Sequence, residues 1–344
     1  MNQYFIVFVV ICVVCIIQEM RKPGTRIPLW VMILFAVLIG IRAEGVDQDY
    51  TSYITAISNI SGFTKEPTFS LIVKIANTYF GKYNVVGVFC IYSFLSIFLS
   101  FSAFNKYSIS PLISLIVFFS TYMVLEEFNA IRAGVASGFI VLSIDSWGKK
   151  DWKTFIYFLC AILFHYSYLI ILPVYFLVSN DEKKRIIFLL LVPLAYLFYY
   201  TIDFSSIIPF VNSLLGTERM DIDYQASLLN VFSTIIIFRI AFCYYLWIKR
   251  DVFSAISPYY YIFLKLYTIG IFIAIALASM PMINMRLMYI FLCFELFLFP
   301  VFIKGHRNKV IPMTITISYC IFSLYIYIIQ GEYLLEYSIN TVFQ

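Results

Sequence analysis

The amino-acid sequence predicts an all-α protein: a polytopic transmembrane helical bundle of about 10–11 spans, forming a single integral membrane domain over 1–344. Three observations predict it. The 344 residues are 62% hydrophobic and only 12% charged, half the charged share of about 25% in soluble domains. Mean hydropathy is +0.91. Apolar runs of helical span length recur along the chain, separated by short loops in which Lys and Arg cluster. This composition excludes a soluble enzyme and a disordered tail. The net charge of +5 sits in short clusters between apolar runs, so no nucleic-acid partner is expected.

The elements follow in order. The stretch from Tyr4 to Ile17 has no basic n-region and no small-residue cleavage site, so it reads as a first span and not as a removable signal. A bilayer core of about 30 Å takes about 20 helical residues. Spans are expected at 3–18, 28–41, 84–104, 110–125, 128–144, 186–201, 227–248, 258–279, 287–303 and 310–330. The run within 66–80 is short and interrupted by Lys74, so it reads as an amphipathic helix on the outer surface. Glu66-Pro67-Thr68-Phe69 reads as its start, with Pro at the first position.

Basic clusters set the orientation. They lie at Arg21, Lys22 and Arg26; Lys106; Lys149, Lys150 and Lys153; Lys183, Lys184 and Arg185; Lys249 and Arg250; and Lys304, Arg307 and Lys309. Placing the first cluster inside puts the N-terminus outside. Counts from the two ends then agree only if 154–178 crosses an even number of times. That segment is too short for two full helices. It is expected to be a re-entrant or broken helical hairpin with its bend near His165, one ordinary span being the alternative. Two long segments then face outward, 42–83 and 202–226, together with the tail 331–344, which has Glu332 and Glu336 but no Lys or Arg.

Ionisable residues near a bilayer are functional candidates. Arg42 lies where the second span meets the outer face, Arg132 near the outer end of the fifth, Arg286 at the start of the span 287–303, and Arg219 in the second outward loop. Converging guanidinium groups suit phosphate oxygens and stay charged. The segment from Arg42 to Tyr53 adds the carboxylates Asp47 and Asp49 and the rings of Tyr50 and Tyr53. Carboxylates can serve as general base or grip sugar hydroxyls, and Tyr rings suit a sugar face. Glu126, Glu127 and Asn129 sit beside Arg132, with Asn129 and Arg132 on one helix face. Gly134 and Gly138 have GxxxG spacing, which reads as close helix packing. His165 lies in the ambiguous segment and is a candidate base, whereas His306 among loop cations is given no role. Arg239 and Glu295 have matching depths and are expected to pair; Lys265 is expected to snorkel. Cys12 and Cys15 have CxxC spacing without a second Cys/His pair, so no metal is expected.

Five patches in order resemble the EpsG-like, Wzy-type polysaccharide polymerases. They are Arg42…Gly45-Val46-Asp47-Gln48-Asp49-Tyr50…Tyr53; Glu66-Pro67-Thr68-Phe69; Asn129-Ala130-Ile131-Arg132…Ala136; Phe164-His165-Tyr166-Ser167 followed by Pro173; and Arg286-Leu287-Met288-Tyr289. The resemblance covers about residues 40–290 and implies a glycosyltransferase without cofactor. Such an enzyme joins oligosaccharide repeat units carried on undecaprenyl pyrophosphate at the outer face of the bacterial inner membrane, making O-antigen or capsule. It implies a lipid-linked donor and acceptor and a chain-length regulator protein as partners. On that reading Arg42, Arg132 and Arg286 hold pyrophosphate, Asp47 or Asp49 activates or positions the acceptor, and His165 is a second candidate for the base. Arg219, Asn129, Glu126, Tyr50, Tyr53 and Glu66 complete the expected substrate site. A lipid-oligosaccharide flippase, a membrane O-acyltransferase and an O-antigen ligase are the rival readings.

Overall fold

Helix follows helix along the chain, and no strand is assigned among the described residues. The computed structural model describes residues 2–59, 66–202 and 229–340. In order come α1 (Asn2–Arg21), α2 (Leu29–Gly40), α3 (Tyr50–Ser58), α4 (Pro67–Phe80), α5 (Asn84–Tyr107) and α6 (Pro111–Ser120). A π-helical turn at Met123–Asn129 precedes α7 (Ile131–Leu142), α8 (Ile144–Gly148) and α9 (Lys153–Phe164). A 3-10 turn at Tyr166–Ile170 leads to α10 (Ile171–Leu177), followed by α11 (Arg185–Thr201), α12 (Thr234–Ile248) and α13 (Arg250–Ser254). The last helices are α14 (Tyr260–Ala276), α15 (Pro281–Leu292), α16 (Glu295–Lys304) and α17 (Val310–Tyr325), which ends in a π-helical turn at Ile326–Gln330. Prolines open α4, α6 and α15 at a first-turn position, where no amide donor is needed.

Four helical stretches among the described residues are long and apolar enough to cross a bilayer: Gln3–Arg21, Pro67–Tyr107, Ile283–Lys304 and Val310–Gln330. A fifth forms if Pro111–Ser120 and Met123–Asn129, bent by 70°, make one span. Seven further apolar helices are only 10–17 residues long. Several spans that look continuous in hydropathy are therefore broken. The chain leaves helical geometry at Thr121, at Ala130 and at His165. Hydropathy reads residue type, whereas continuity depends on which polar groups satisfy a break. The 154–178 segment divides at His165, where φ −154° and ψ 113° make one residue extended between α9 and the 3-10 turn.

One compact unit comprises Met1–Leu172 with Phe299–Gln344. Within it α5 packs most extensively on α7 and α2, with α4 on a further side. The α4 helix buries Phe69, Ile72, Val73 and Ala76 at i, i+3, i+4 and i+7, while Leu71, Lys74 and Tyr79 are exposed. Its buried stripe joins Tyr50, Tyr53, Phe89 and Tyr92 in one apolar cluster. The approach of α7 to α5 needs glycine. A Cβ on Gly138 would lie 2.7 Å from Leu99 Cβ, and one on Gly134 would lie 2.8 Å from Ser96 Oγ. The GxxxG spacing thus marks close packing.

The second unit comprises Pro173–Leu298. Here α14 packs on α15 and α11. Arg239 Nη2 lies 3.4 Å from Glu295 Oε1, with both side chains buried, so the expected ion pair forms. Lys265 departs from expectation. It does not snorkel to solvent but is fully buried, donating to the Ser179 carbonyl at 3.0 Å, with Ser179 Oγ at 3.2 Å and Asp181 Oδ1 at 3.3 Å. The loop after α10 comes to the ammonium, which removes any need for the side chain to reach water.

Replacing Gly138 with Leu is expected to cost about 3 kcal/mol, because overpacking a full interface forces backbone shifts. Thermal unfolding in detergent checks this. An unchanged melting temperature would contradict the close contact of α5 and α7.

Candidate functional site

The site is assembled at the start of α4, the start of α7 and the break after α9. A helix leaves its last carbonyls and the next helix's first amides without intrahelical partners. Here α4 supplies them. Thr68 Oγ1 donates to the Leu163 carbonyl at 2.7 Å, and the Tyr166 amide donates to Glu66 Oε1 at 3.3 Å. The extended residue between these groups is His165, whose Nδ1 lies 2.9 Å from the same Glu66 oxygen. The other oxygen, Oε2, accepts a hydrogen bond from Arg132 Nη1 at the first turn of α7. One carboxylate therefore joins three elements. Burial works against its charge, but the His165 hydrogen bond, the Arg132 guanidinium and the Tyr166 amide outweigh burial and hold the Glu66 carboxyl below its ordinary range.

The second arginine is placed differently. Arg42 Nε donates to Asp47 Oδ2 at 2.5 Å, Nη1 to the Ile39 carbonyl at 2.9 Å and Nη2 to the Phe128 carbonyl at 2.6 Å. Its guanidinium carbon lies 4.3 Å from the Phe89 ring centre, and Arg132 sits 5.7 Å from the Tyr53 ring centre. Phe89 stacks on Tyr50 at 4.5 Å and meets Tyr53 edge-on at 5.8 Å. An aromatic seam thus lies between the two cations. The Arg42 side chain is 1% exposed, whereas Arg132 is 24% and His165 16% exposed. The reactive-looking groups are the ones that solvent or a ligand can reach.

Asn129 closes the constellation. Its Oδ1 accepts from the Gln48 amide at 3.2 Å, and its Nδ2 donates to the Val124 carbonyl at 2.7 Å and the Tyr333 carbonyl at 3.2 Å. This fixes the π-helical turn Met123–Asn129, a distortion that often accompanies functional sites. Within that turn Glu126 takes a hydrogen bond from Ser137 at 2.7 Å and Glu127 one from Ser96 at 2.5 Å. Both carboxyls are buried. Asp49 immediately precedes α3, and its amide donates to Asp47 Oδ1 at 3.1 Å.

Of the residues singled out from sequence, Arg42, Asp47, Asp49, Tyr50, Tyr53, Glu66, Glu126, Asn129, Arg132 and His165 all fall in the first compact unit. Arg286 lies in α15 of the second unit, is exposed, and makes no ion pair among the described residues. Arg219 lies outside the described residues.

The sequence matches the EpsG family over residues 25–339. The chain belongs to the EpsG family. That membership points to a membrane-bound, polysaccharide-polymerase-like role. No curated protein and no solved structure is similar enough to match it. The EpsG match spans every residue of the Glu66–Arg132–His165 constellation.

Sequence reasoning named Glu66 but not its part as the residue that holds both Arg132 and His165. It missed Ser96, Ser137, Phe89 and the tail residues Tyr333 and Asn340. Glu66 itself had a legible signal, a carboxylate immediately before a proline-initiated helix. The serines and Phe89 had none, since small hydroxyls and aromatics are common throughout this chain.

Glu66 has a folded-state value below its unfolded one. Its contribution to stability is therefore complete above the ordinary carboxylate range and is lost as pH falls through the lowered value. Glu66→Gln is expected to destabilise the EpsG-family protein by about 3 kcal/mol at neutral pH, since it leaves a largely buried cation unpaired. Melting temperatures of parent and variant should converge on acidification. A gap that stays constant into acid would contradict the ionised bridge.

Proposed function

We propose that the protein is a membrane glycosyltransferase that polymerises oligosaccharide repeat units carried on undecaprenyl pyrophosphate into surface polysaccharide, O-antigen or capsule. The observation that carries this reading is one buried carboxylate holding an accessible arginine and an accessible histidine side by side. The pattern of basic loops supports an active site on the outer face of the bacterial inner membrane.

The chemistry follows from the groups present. The acceptor sugar hydroxyl attacks C1 of the donor sugar, the C1–O bond to phosphate breaks, and the lipid pyrophosphate leaves with the bonding electrons. His165 takes the hydroxyl proton at Nε2. Glu66 accepts from Nδ1–H, which selects the tautomer whose Nε2 lone pair is free and stabilises the imidazolium that forms. Arg132 faces the departing pyrophosphate, where a permanent cation lowers the cost of developing charge. Arg42 is assigned to positioning: its donors are spent on Asp47, Ile39 and Phe128, and it holds the loop that carries Asp49. Asp49 positions the acceptor hydroxyl, and Tyr50 and Tyr53 form the wall behind it. The partners on this reading are a lipid-linked donor and acceptor and a chain-length regulator protein.

In a strain lacking the chromosomal copy, Arg132→Ala is expected to abolish the long-chain ladder of surface polysaccharide. A single repeat unit attached to lipid A core should remain, because export and ligation proceed. A normal ladder at normal protein level would overturn the pyrophosphate assignment.

A further inference from the structure

We propose that residues 331–340 form a strap that fixes the loop 41–48 in register and so positions Asp49 and the Arg42–Asp47 pair for the reaction. The positioning role rests on the glycosyltransferase reading above; the register does not. Along the loop, Ile41 lies opposite Asn340, Arg42 opposite Ile339, Ala43 opposite Ser338, Val46 opposite Leu335 and Asp47 opposite Leu334, one constant antiparallel offset. The Asn340 amide donates to the Ile41 carbonyl at 2.9 Å, the Ala43 amide to the Ser338 carbonyl at 2.9 Å and the Leu335 amide to the Val46 carbonyl at 2.9 Å. Gln48 Nε2 continues the contact to the Gly331 and Glu332 carbonyls at 3.0 and 3.1 Å.

Side chains lock the same register. Leu334 is wholly buried. Asn340 Nδ2 donates to the Tyr50 hydroxyl at 3.2 Å, and the Tyr337 hydroxyl donates to the Leu38 carbonyl at 2.8 Å. Asn129 binds the strap at the Tyr333 carbonyl and the loop at the Gln48 amide with one amide group. The loop turns at Gly45, with φ +84°, a conformation glycine adopts without strain. Backbone groups away from water need partners, and for the Ile41 and Val46 carbonyls and the Ala43 amide those partners are in the strap. Displacing the strap removes these partners from the loop 41–48 and so moves the acceptor side of the site.

The test is a disulfide rescue in the full chain. Opposed residues of an antiparallel pair that share a hydrogen bond have Cα atoms about 5.5 Å apart, within the span of a disulfide. Ala43→Cys with Ser338→Cys should crosslink under mild oxidation, and Ala43→Cys with Glu336→Cys should not; the single-cysteine chains give the background from the native thiols. Leu334→Asp should lower polymer formed from lipid-linked repeat units by about a hundredfold, as misplacement of about 1 Å does. Adding Ala43→Cys and Ser338→Cys to that variant and oxidising the pair should restore most of it, and reductant should remove it again. Leu335→Pro, at an exposed position, deletes one strap donor and serves where Leu334→Asp fails to accumulate. Absence of the crosslink overturns the register. Full polymer from both strap variants, or no rescue by a disulfide that has formed, overturns the positioning role. A parent that makes no polymer defeats the glycosyltransferase reading, and crosslinking still decides the register.

Discussion

The arrangement depends on the two oxygens of Glu66. One takes the Tyr166 amide and the His165 ring, and the other takes Arg132. These groups come from the start of α4, the start of α7 and the break after α9, elements separated by 66 and 99 residues of chain. In a low-dielectric setting an unpaired carboxylate or guanidinium is costly, and a pair with satisfied hydrogen bonds offsets that cost. The same contact lets a helix stop at His165 without orphaning its neighbours. Break, histidine and arginine are thus consequences of one anion.

The two arginines illustrate how burial divides one residue type between roles. Arg42 has a carboxylate, two carbonyls and an aromatic face, and its side chain is 1% exposed. Drawing it toward a ligand would leave Asp47 and two carbonyls unpaired, at about 1–3 kcal/mol for each neutral group and more for the charge. Arg132 has one carboxylate partner and keeps an open side. On the proposed reading, a pyrophosphate approaching the pair would meet a cation held in place by Glu66 and still able to offer a donor.

Much of the architecture was legible in the chain. Composition gave the membrane bundle, and the short run interrupted by Lys74 gave α4 as an amphipathic helix. Matched depth gave Arg239 with Glu295, and GxxxG gave close packing of α7, though not α5 as its partner. What was not legible depends on long-range partners. The π-helical turn at Met123–Asn129 is held by Asn129, whose partners include Tyr333, 204 residues on. Hydropathy therefore draws one span where the structure bends by 70°. Lys265 looked able to reach water because nothing local reveals that the Ser179–Asp181 loop comes to it. The strap escaped notice because its pairing is only a few residues long and its composition signals no more than an acidic tail.

On the proposed reading Glu66 acts through His165. A double-mutant cycle on purified protein, with lipid-linked repeat units as substrate, tests it most directly. Glu66→Gln and His165→Asn should each reduce the rate strongly, and the double variant should be little worse than His165→Asn alone, because groups that work as one unit are not additive. Losses that multiply in the double variant would overturn this coupling, since Glu66 would then act independently of the histidine it holds.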